Sequence, residues 1–259
     1  MMWTTRQRSD LAQLRVISAG SGPAVLLIHG VGLCADTWNP QIDALAEEFS
    51  VTAVDMPGHG TSQRLPPDAD LTAYTETIAA CLTDKTVVVG HSMGAMIALN
   101  LAARHPDKIS GVAALNAIFQ RTPDAQTAVR ARAQSLDGHS MADPLATLSR
   151  WFGDVPSPAR EACHRWLTCV DPQGYRTAYR VFADEDGPTE QTLKTLRCPA
   201  LFVTGSDEPN STPAMSHAMA NLTPNGRAHI IEGAAHMMPM THSEKLNAHL
   251  LHFARYCTQ

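Results

Sequence analysis

No two cysteines of this chain form a C-x-x-C pair; the six (Cys34, Cys81, Cys163, Cys169, Cys198, Cys257) are scattered over 259 residues. That spacing excludes a zinc ribbon or a dithiol redox centre and reads as reduced thiols, mostly in core positions. Twelve histidines are present without an H-E-x-x-H, and His249 with His252 reads as one face of a surface helix. No metal and no other cofactor is therefore expected. No stretch approaches the roughly 18 uninterrupted apolar residues of a membrane span. The first ten residues are polar and lack the apolar centre of a secretory signal, so a cytoplasmic location is the expectation. Net charge is −5 with no long block of one sign, which argues against a nucleic-acid partner. The expected partner is a small-molecule substrate. An exposed face of an inserted segment leaves room for a homodimer, but nothing in the sequence requires one.

What is present is an ordinary globular balance, 44% hydrophobic and 17% charged, at a length suited to one α/β domain or a core with one insertion. Leu14–Ser18 reads as a first strand. Ala24–Ile28 is a continuous apolar run, as expected of a parallel strand buried on both faces. A helix is predicted over Trp38–Glu48, a strand over Ser50–Asp55, a helix over Leu71–Leu82 and a strand over Thr86–Val89. Further strands are predicted within Ile109–Ile118, Pro199–Gly205 and Ala228–Glu232, and a closing helix over Glu244–Tyr256. Such alternation indicates a mostly parallel sheet flanked by helices. The interval 119–197 breaks the pattern: it has no buried-strand run and holds Trp151, Phe152, Trp166, Tyr175, Tyr179 and Phe182. Eighty residues or so are too many for a bare loop, so 119–197 is predicted to be a helical cap on a core of 1–118 and 198–259. Its aromatics can line a pocket or form the insertion's own core, and the latter is the reading for most of them.

Chemistry enters at Gly90-His91-Ser92-Met93-Gly94, between the run Thr86–Val89 and the helix-period segment Ala95–Ala103. Strand, G-x-S-x-G and helix together are the context of a nucleophile elbow, with Ser92 exposed on a sharp turn. A serine hydroxyl needs a base and a group that orients the base. His236 follows the last strand and Asp207 follows Leu201–Thr204, so both fall at the sheet's carboxyl edge, where ligands gather in open α/β sheets. Glu208 is the rival to Asp207, preferred less because Pro209 fixes the chain just beyond it and the shorter aspartate loses less entropy. Asn116 is an amide at another strand end and cannot stabilise an imidazolium by charge. His91 reads as packing, and the turn Asp55–Gly60 as structural.

These motifs, with His29-Gly30-Val31-Gly32 and Asp55-Met56-Pro57-Gly58-His59-Gly60, resemble the α/β-hydrolase superfamily, in its capped esterase, lactonase and C–C hydrolase branch. The chain order Ser92, Asp207, His236 is that of the family. The resemblance implies a Ser-His-Asp triad, with the backbone N–H groups of Val31 and Met93 forming an oxyanion hole. Pocket candidates are His29, Trp151, Trp166 and Met237, though His29 and Met237 also suit structural roles. The implied activity is hydrolysis of a small carboxylic ester or lactone through an acyl-enzyme. Hydrolysis of a C–C bond in a ring-cleavage product is the alternative within enzymes. A catalytically silent binding protein is the alternative outside them.

Overall fold

The computed structural model describes residues 3–83 and 85–259, and the strand–helix alternation read from the sequence organises it. The first half holds β1 (Ser9–Leu11), β2 (Leu14–Ala19), β3 (Ala24–Ile28), α1 (Asn39–Leu45), β4 (Ser50–Val54), α2 (Leu71–Ala79), β5 (Thr86–His91), α3 (Met93–Arg104) and β6 (Ile109–Leu115). Five helices follow: α4 (Pro123–Gln134), α5 (Leu145–Phe152), α6 (Pro158–Cys169), α7 (Pro172–Asp184) and α8 (Glu190–Lys194). The chain then returns to the sheet through β7 (Ala200–Gly205), α9 (Pro213–Leu222), β8 (Gly226–Ile231), α10 (Met238–Thr241) and α11 (Ser243–Cys257).

Among the described residues eight strands form one sheet in the order β1-β2-β4-β3-β5-β6-β7-β8. Only β2 runs against its neighbours β1 and β4; every pairing from β4 to β8 is parallel. Successive strand residues point to opposite faces, so each apolar run feeds two cores. Leu26, Val88, Val112 and Phe202 face α2, α3 and α9. Leu27, Val89, Ala113 and Leu201 face α1 and α11, which contribute Ile42, Leu45, Leu246, Leu250 and Phe253. Two-sided burial is why these strands are unbroken hydrophobic runs.

The interval 119–197 contains helices and no strand. Each of α4, α6 and α7 begins with proline at its first position, behind a capping side chain. Thr122, Ser157 and Asp171 accept from the N–H groups of Ala125, Arg160 and Gly174 at 3.3, 3.1 and 2.6 Å. These starts satisfy orphan amide donors and fix φ in advance. A third apolar cluster joins the interval to the carboxyl edge of the sheet: Leu148, Cys163, Leu167 and Tyr175 pack with Leu33, Met237 and Met240. α8 packs on α9 of the sheet layer instead.

Several boundaries differ from the sequence expectations. The segment expected as one helix over Trp38–Glu48 is a 3-10 turn (Ala35–Trp38) running into the short α1, with Pro40 near its start. β1 and α9 were not expected. β1 is a three-residue polar edge strand, and α9 begins at Pro213 without a strong apolar stripe. Among the described residues no helix is long and apolar enough to cross a membrane, and no group of three or more His, Cys, Asp or Glu is placed to hold a metal ion.

Candidate active site

Ser92 joins β5 to α3 with φ 57° and ψ −118°, a conformation that L-residues rarely adopt. The surrounding glycines are forced by contact. A Cβ at Gly90 would run into the Gly94 carbonyl, and one at Gly94 would run into the carbonyl oxygens of Ile28 and His29. Close packing of β3, β5 and α3 thus explains both glycines of the motif. Met93 opens α3, so its N–H has no intrahelical partner. The Gly30–Val31 segment passes alongside: a Cβ on Gly30 would lie 3.1 Å from the Ser92 Cβ.

His236 lies in the loop between β8 and α10, with its side chain 14% exposed. Its Nδ1–H donates to Glu208 Oε2 at 2.7 Å, which leaves Nε2 as the free ring nitrogen. Glu208 is buried, and its other oxygen accepts from the backbone N–H groups of Asn210 (2.8 Å) and Ser211 (3.3 Å). Burial works to raise this carboxyl. The neighbouring His236 and the two backbone donors outweigh it and hold the group down at about 2. It is a carboxylate at neutral pH.

Asp207 is not that partner. Its side chain is exposed and accepts from the Ser206 hydroxyl at 2.9 Å. The reason is local: Asp207 N–H is tied to Ala234 O at 2.9 Å, fixing the first turn residue with its carboxylate outward. The next residue points inward, and the extra methylene of glutamate spans the gap to the imidazole. Glu208, the rival weighed from sequence, occupies the position assigned there to Asp207.

Two pocket expectations are also corrected. His29 is fully buried, its Nδ1–H donating to Gly30 O at 2.7 Å and its Nε2 accepting from Met56 N–H at 3.0 Å. Burial, then nearby His59, pushes it down to about 3, so it is neutral and fastens the loop carrying Val31. Met237 is fully buried in the third cluster and faces no opening.

Trp151 stacks on His236, at 5.2 Å between ring centroids and 22° between planes. Trp166 is half-buried against the third cluster, with no ring contact to His236. Tyr175 reaches the loop beside Ser92: a Cβ on Gly32 would lie 3.0 Å from its ring. Tyr179 stacks on Tyr175 at 5.8 Å. Burial raises the phenols of Tyr175 and Tyr179, and the exposed Arg132 and Arg150 lie near enough to act against that rise; among the described residues neither arginine forms an ion pair with a carboxylate.

An ion-pair cluster that composition and spacing do not reveal lies behind the loop holding Ala35. Asp55 is fully buried and accepts from Ala35 N–H (2.8 Å) and Thr61 N–H (3.1 Å). Arg8 bridges it to Asp36, at 3.2 Å and 2.8 Å. Trp3 Nε1–H and Arg6 N–H donate to Asp36 at 2.8 and 2.9 Å, strapping the amino-terminal segment to the same loop. The partners lie 47 positions apart in sequence, and only the buried charge of Asp55 hints at a cation to come.

A family model described as alpha/beta hydrolase fold matches residues 23–243. An (E)-2-((N-methylformamido)methylene)succinate hydrolase of Acinetobacter baylyi is 37% identical over 95% of this chain and 96% of its own. A pimeloyl-[acyl-carrier protein] methyl ester esterase of Chromobacterium violaceum is 31% identical over 89% of this chain and 94% of its own. Among solved structures, a thermophilic esterase from Thermogutta terrifontis, determined with malate bound, superposes with a TM-score of 0.86. That structure is 25% identical, and the match covers 98% of this chain and 100% of the esterase. Sheet order, elbow and family match agree: the chain belongs to the alpha/beta hydrolase fold family and is an enzyme of the hydrolase class.

Proposed function

We propose that this hydrolase cleaves a small acyl compound through an acyl-enzyme on Ser92, with His236 as base and Glu208 as the acid that orients it. The observation that carries the reading is the Glu208–His236 pair, which leaves Nε2 of the imidazole free at the carboxyl edge where the elbow presents Ser92. Ser92 Oγ attacks the substrate carbonyl as His236 Nε2 takes its proton, and the Glu208 carboxylate stabilises the imidazolium. The carbonyl electron pair moves onto oxygen, beside the N–H groups of Val31 and Met93. Donors of this kind are each worth about 3 kcal/mol of barrier. Collapse expels the leaving group, which takes the proton from His236. Water then repeats the cycle on the acyl-enzyme and frees Ser92.

Helices α4–α7 serve as the cap over this site, a narrower unit than the 119–197 of the sequence reading, because α8 packs with the core. Trp151 closes the pocket over His236. The substrate is a carboxylic ester or lactone whose acyl part bears a carboxylate. Arg132 and Arg150, cations without acidic partners beside Tyr175 and Tyr179, support that charge. The Acinetobacter relative's name carries a succinate, and the Thermogutta esterase binds malate. The same relative's substrate, an amidomethylene compound, favours a second reading in which the bond cleaved is C–N. Six unpaired thiols suit a reducing compartment such as the cytoplasm.

The test is a hydrolysis screen on one preparation: methyl and aryl hemiesters of succinate, neutral butyrate esters, lactones and an amidomethylene succinate. Faster turnover of the anionic substrates, abolished in Ser92→Ala, is the expected result. Activity surviving in Ser92→Ala overturns the mechanism. A preference for neutral esters that is unchanged in Arg132→Gln and Arg150→Gln overturns the assignment of charge.

A further inference from the structure

The main chain of His236 sits in a short loop between Gly233 and α10, outside any strand or helix. Two side chains from other parts of the sheet converge on its carbonyl oxygen. His91 Nε2–H and Asn116 Nδ2–H both donate to it, each at 2.8 Å. We propose that His91 and Asn116 are positioning residues that hold His236 by a forked hydrogen bond to its carbonyl, fixing the imidazole in register with the nucleophile. The proposal rests on the acyl-enzyme reading.

The fork ties base and nucleophile into one closed frame. His91 is the residue directly before Ser92, so the nucleophile's own neighbour holds the base. Ser92 N–H donates to Leu115 O at 2.9 Å, and Asn116 follows Leu115. From Ser92 the frame runs through Leu115 and Asn116 to His236, and returns through His91. A shift of His236 along its loop would have to stretch both donors.

Each donor carries a feature that packing alone does not explain. Asn116 is held at φ +49°, in the left-handed region, while its N–H remains bonded to Val203 O at 2.9 Å. Asparagine tolerates that region better than most residues, yet the conformation still costs free energy. What it gains is an amide aimed at His236, with its own Oδ1 buried and unpartnered. His91 is likewise fully buried with Nδ1 unpartnered, and its ring is wedged between Trp38 and His236. Burial, then the adjacent His236, pushes it down to about 3, so it holds one ring proton at neutral pH. A carbonyl lies opposite Nε2, so the proton is on Nε2 and His91 acts as a fixed donor. An apolar residue of similar size would fill the same space without these unpaired buried atoms, which cost stability.

Asn116→Gly separates the hydrogen bond from the backbone strain, because glycine accepts φ +49° freely. With a substrate identified by the screen, Asn116→Gly is expected to keep its melting temperature within a few degrees and its KM within twofold. Its kcat should fall by about tenfold to a hundredfold, the order that a misplacement of the base near 1 Å produces. His91→Gln, whose amide can reach the same oxygen, should recover part of the kcat lost in His91→Ala. The rate at which a serine-directed phosphonate labels Ser92 should fall in parallel with kcat. Unchanged kcat and labelling in Asn116→Gly, with Ser92→Ala inactive, would overturn the fork and leave the acyl-enzyme reading standing. Activity in Ser92→Ala would instead remove that reading itself.

Discussion

Glu208→Gln tests the acid with little disturbance of shape. The glutamate makes three contacts: Oε1 accepts from Asn210 and Ser211, and Oε2 accepts from His236 Nδ1. A glutamine can keep its oxygen on the two backbone donors and turn its NH2 toward His236. Nδ1 must then accept, so the ring proton moves to Nε2, and a protonated Nε2 cannot take the Ser92 proton. Holding the wrong tautomer costs about 10⁴ in turnover at triads of this type, or about 5 kcal/mol of barrier. Stability gives an independent measure. The Glu208 carboxyl sits at about 2 against an ordinary 4.5, which corresponds to about 3 kcal/mol. Because the folded-state value is lowered, this contribution is complete above about pH 4.5 and is lost as pH falls toward 2. Urea unfolding followed between pH 7 and pH 3 should therefore show a steeper acid loss in wild type than in Glu208→Gln. Steady-state kinetics should show Asp207→Asn within a fewfold of wild type. Collapse of Asp207→Asn beside a near-normal Glu208→Gln would refute the assignment.

Other outcomes follow from the same geometry. Gly94→Ala should lose about 3 kcal/mol or fail to fold, because its Cβ meets the fixed carbonyls of Ile28 and His29; urea midpoints measure this. A variant with a wild-type midpoint would disprove the close approach. Incubation with a chelator should leave kcat/KM unchanged, because no step of the proposed cycle uses a metal ion. Trp151→Ala should alter relative rates among acyl substrates by tenfold or more with little change in melting temperature, since the ring stacks on His236 and lies outside the fully buried core. Equal losses on every substrate would reduce Trp151 to a support for the imidazole.

Parts of this molecule were legible in the sequence because geometry there leaves no choice. Strands buried on both faces become runs such as Ala24–Ile28, and a crossing as tight as β5 with α3 admits only glycine at Gly90 and Gly94. The acid was not legible in this way. Asp207 and Glu208 are neighbours in one turn, and which faces inward depends on a backbone hydrogen bond to Ala234, 27 residues away. The inserted helices were readable as helical but not individually, although Thr122-Pro123, Ser157-Pro158 and Asp171-Pro172 each mark a start. The fork on His236 and the Arg8 bridge join residues distant in sequence. Period and composition carry no trace of them.

The bridge from Arg8 to Asp36 and Asp55 makes one loop of the core depend on a segment far from it in the chain. Arg8 precedes its two partners by 28 and 47 positions in the chain. Until all three meet, Asp55 cannot leave water at tolerable cost, because a buried carboxylate stripped of its cation is destabilising by about 3–5 kcal/mol. The loop holding Ala35 therefore keeps its shape through the segment Trp3–Arg8 that packs on it. That segment behaves as a latch on the finished site. A bulky fusion placed against Trp3 would hold the latch open, whereas an appendage following α11 would leave it free to shut.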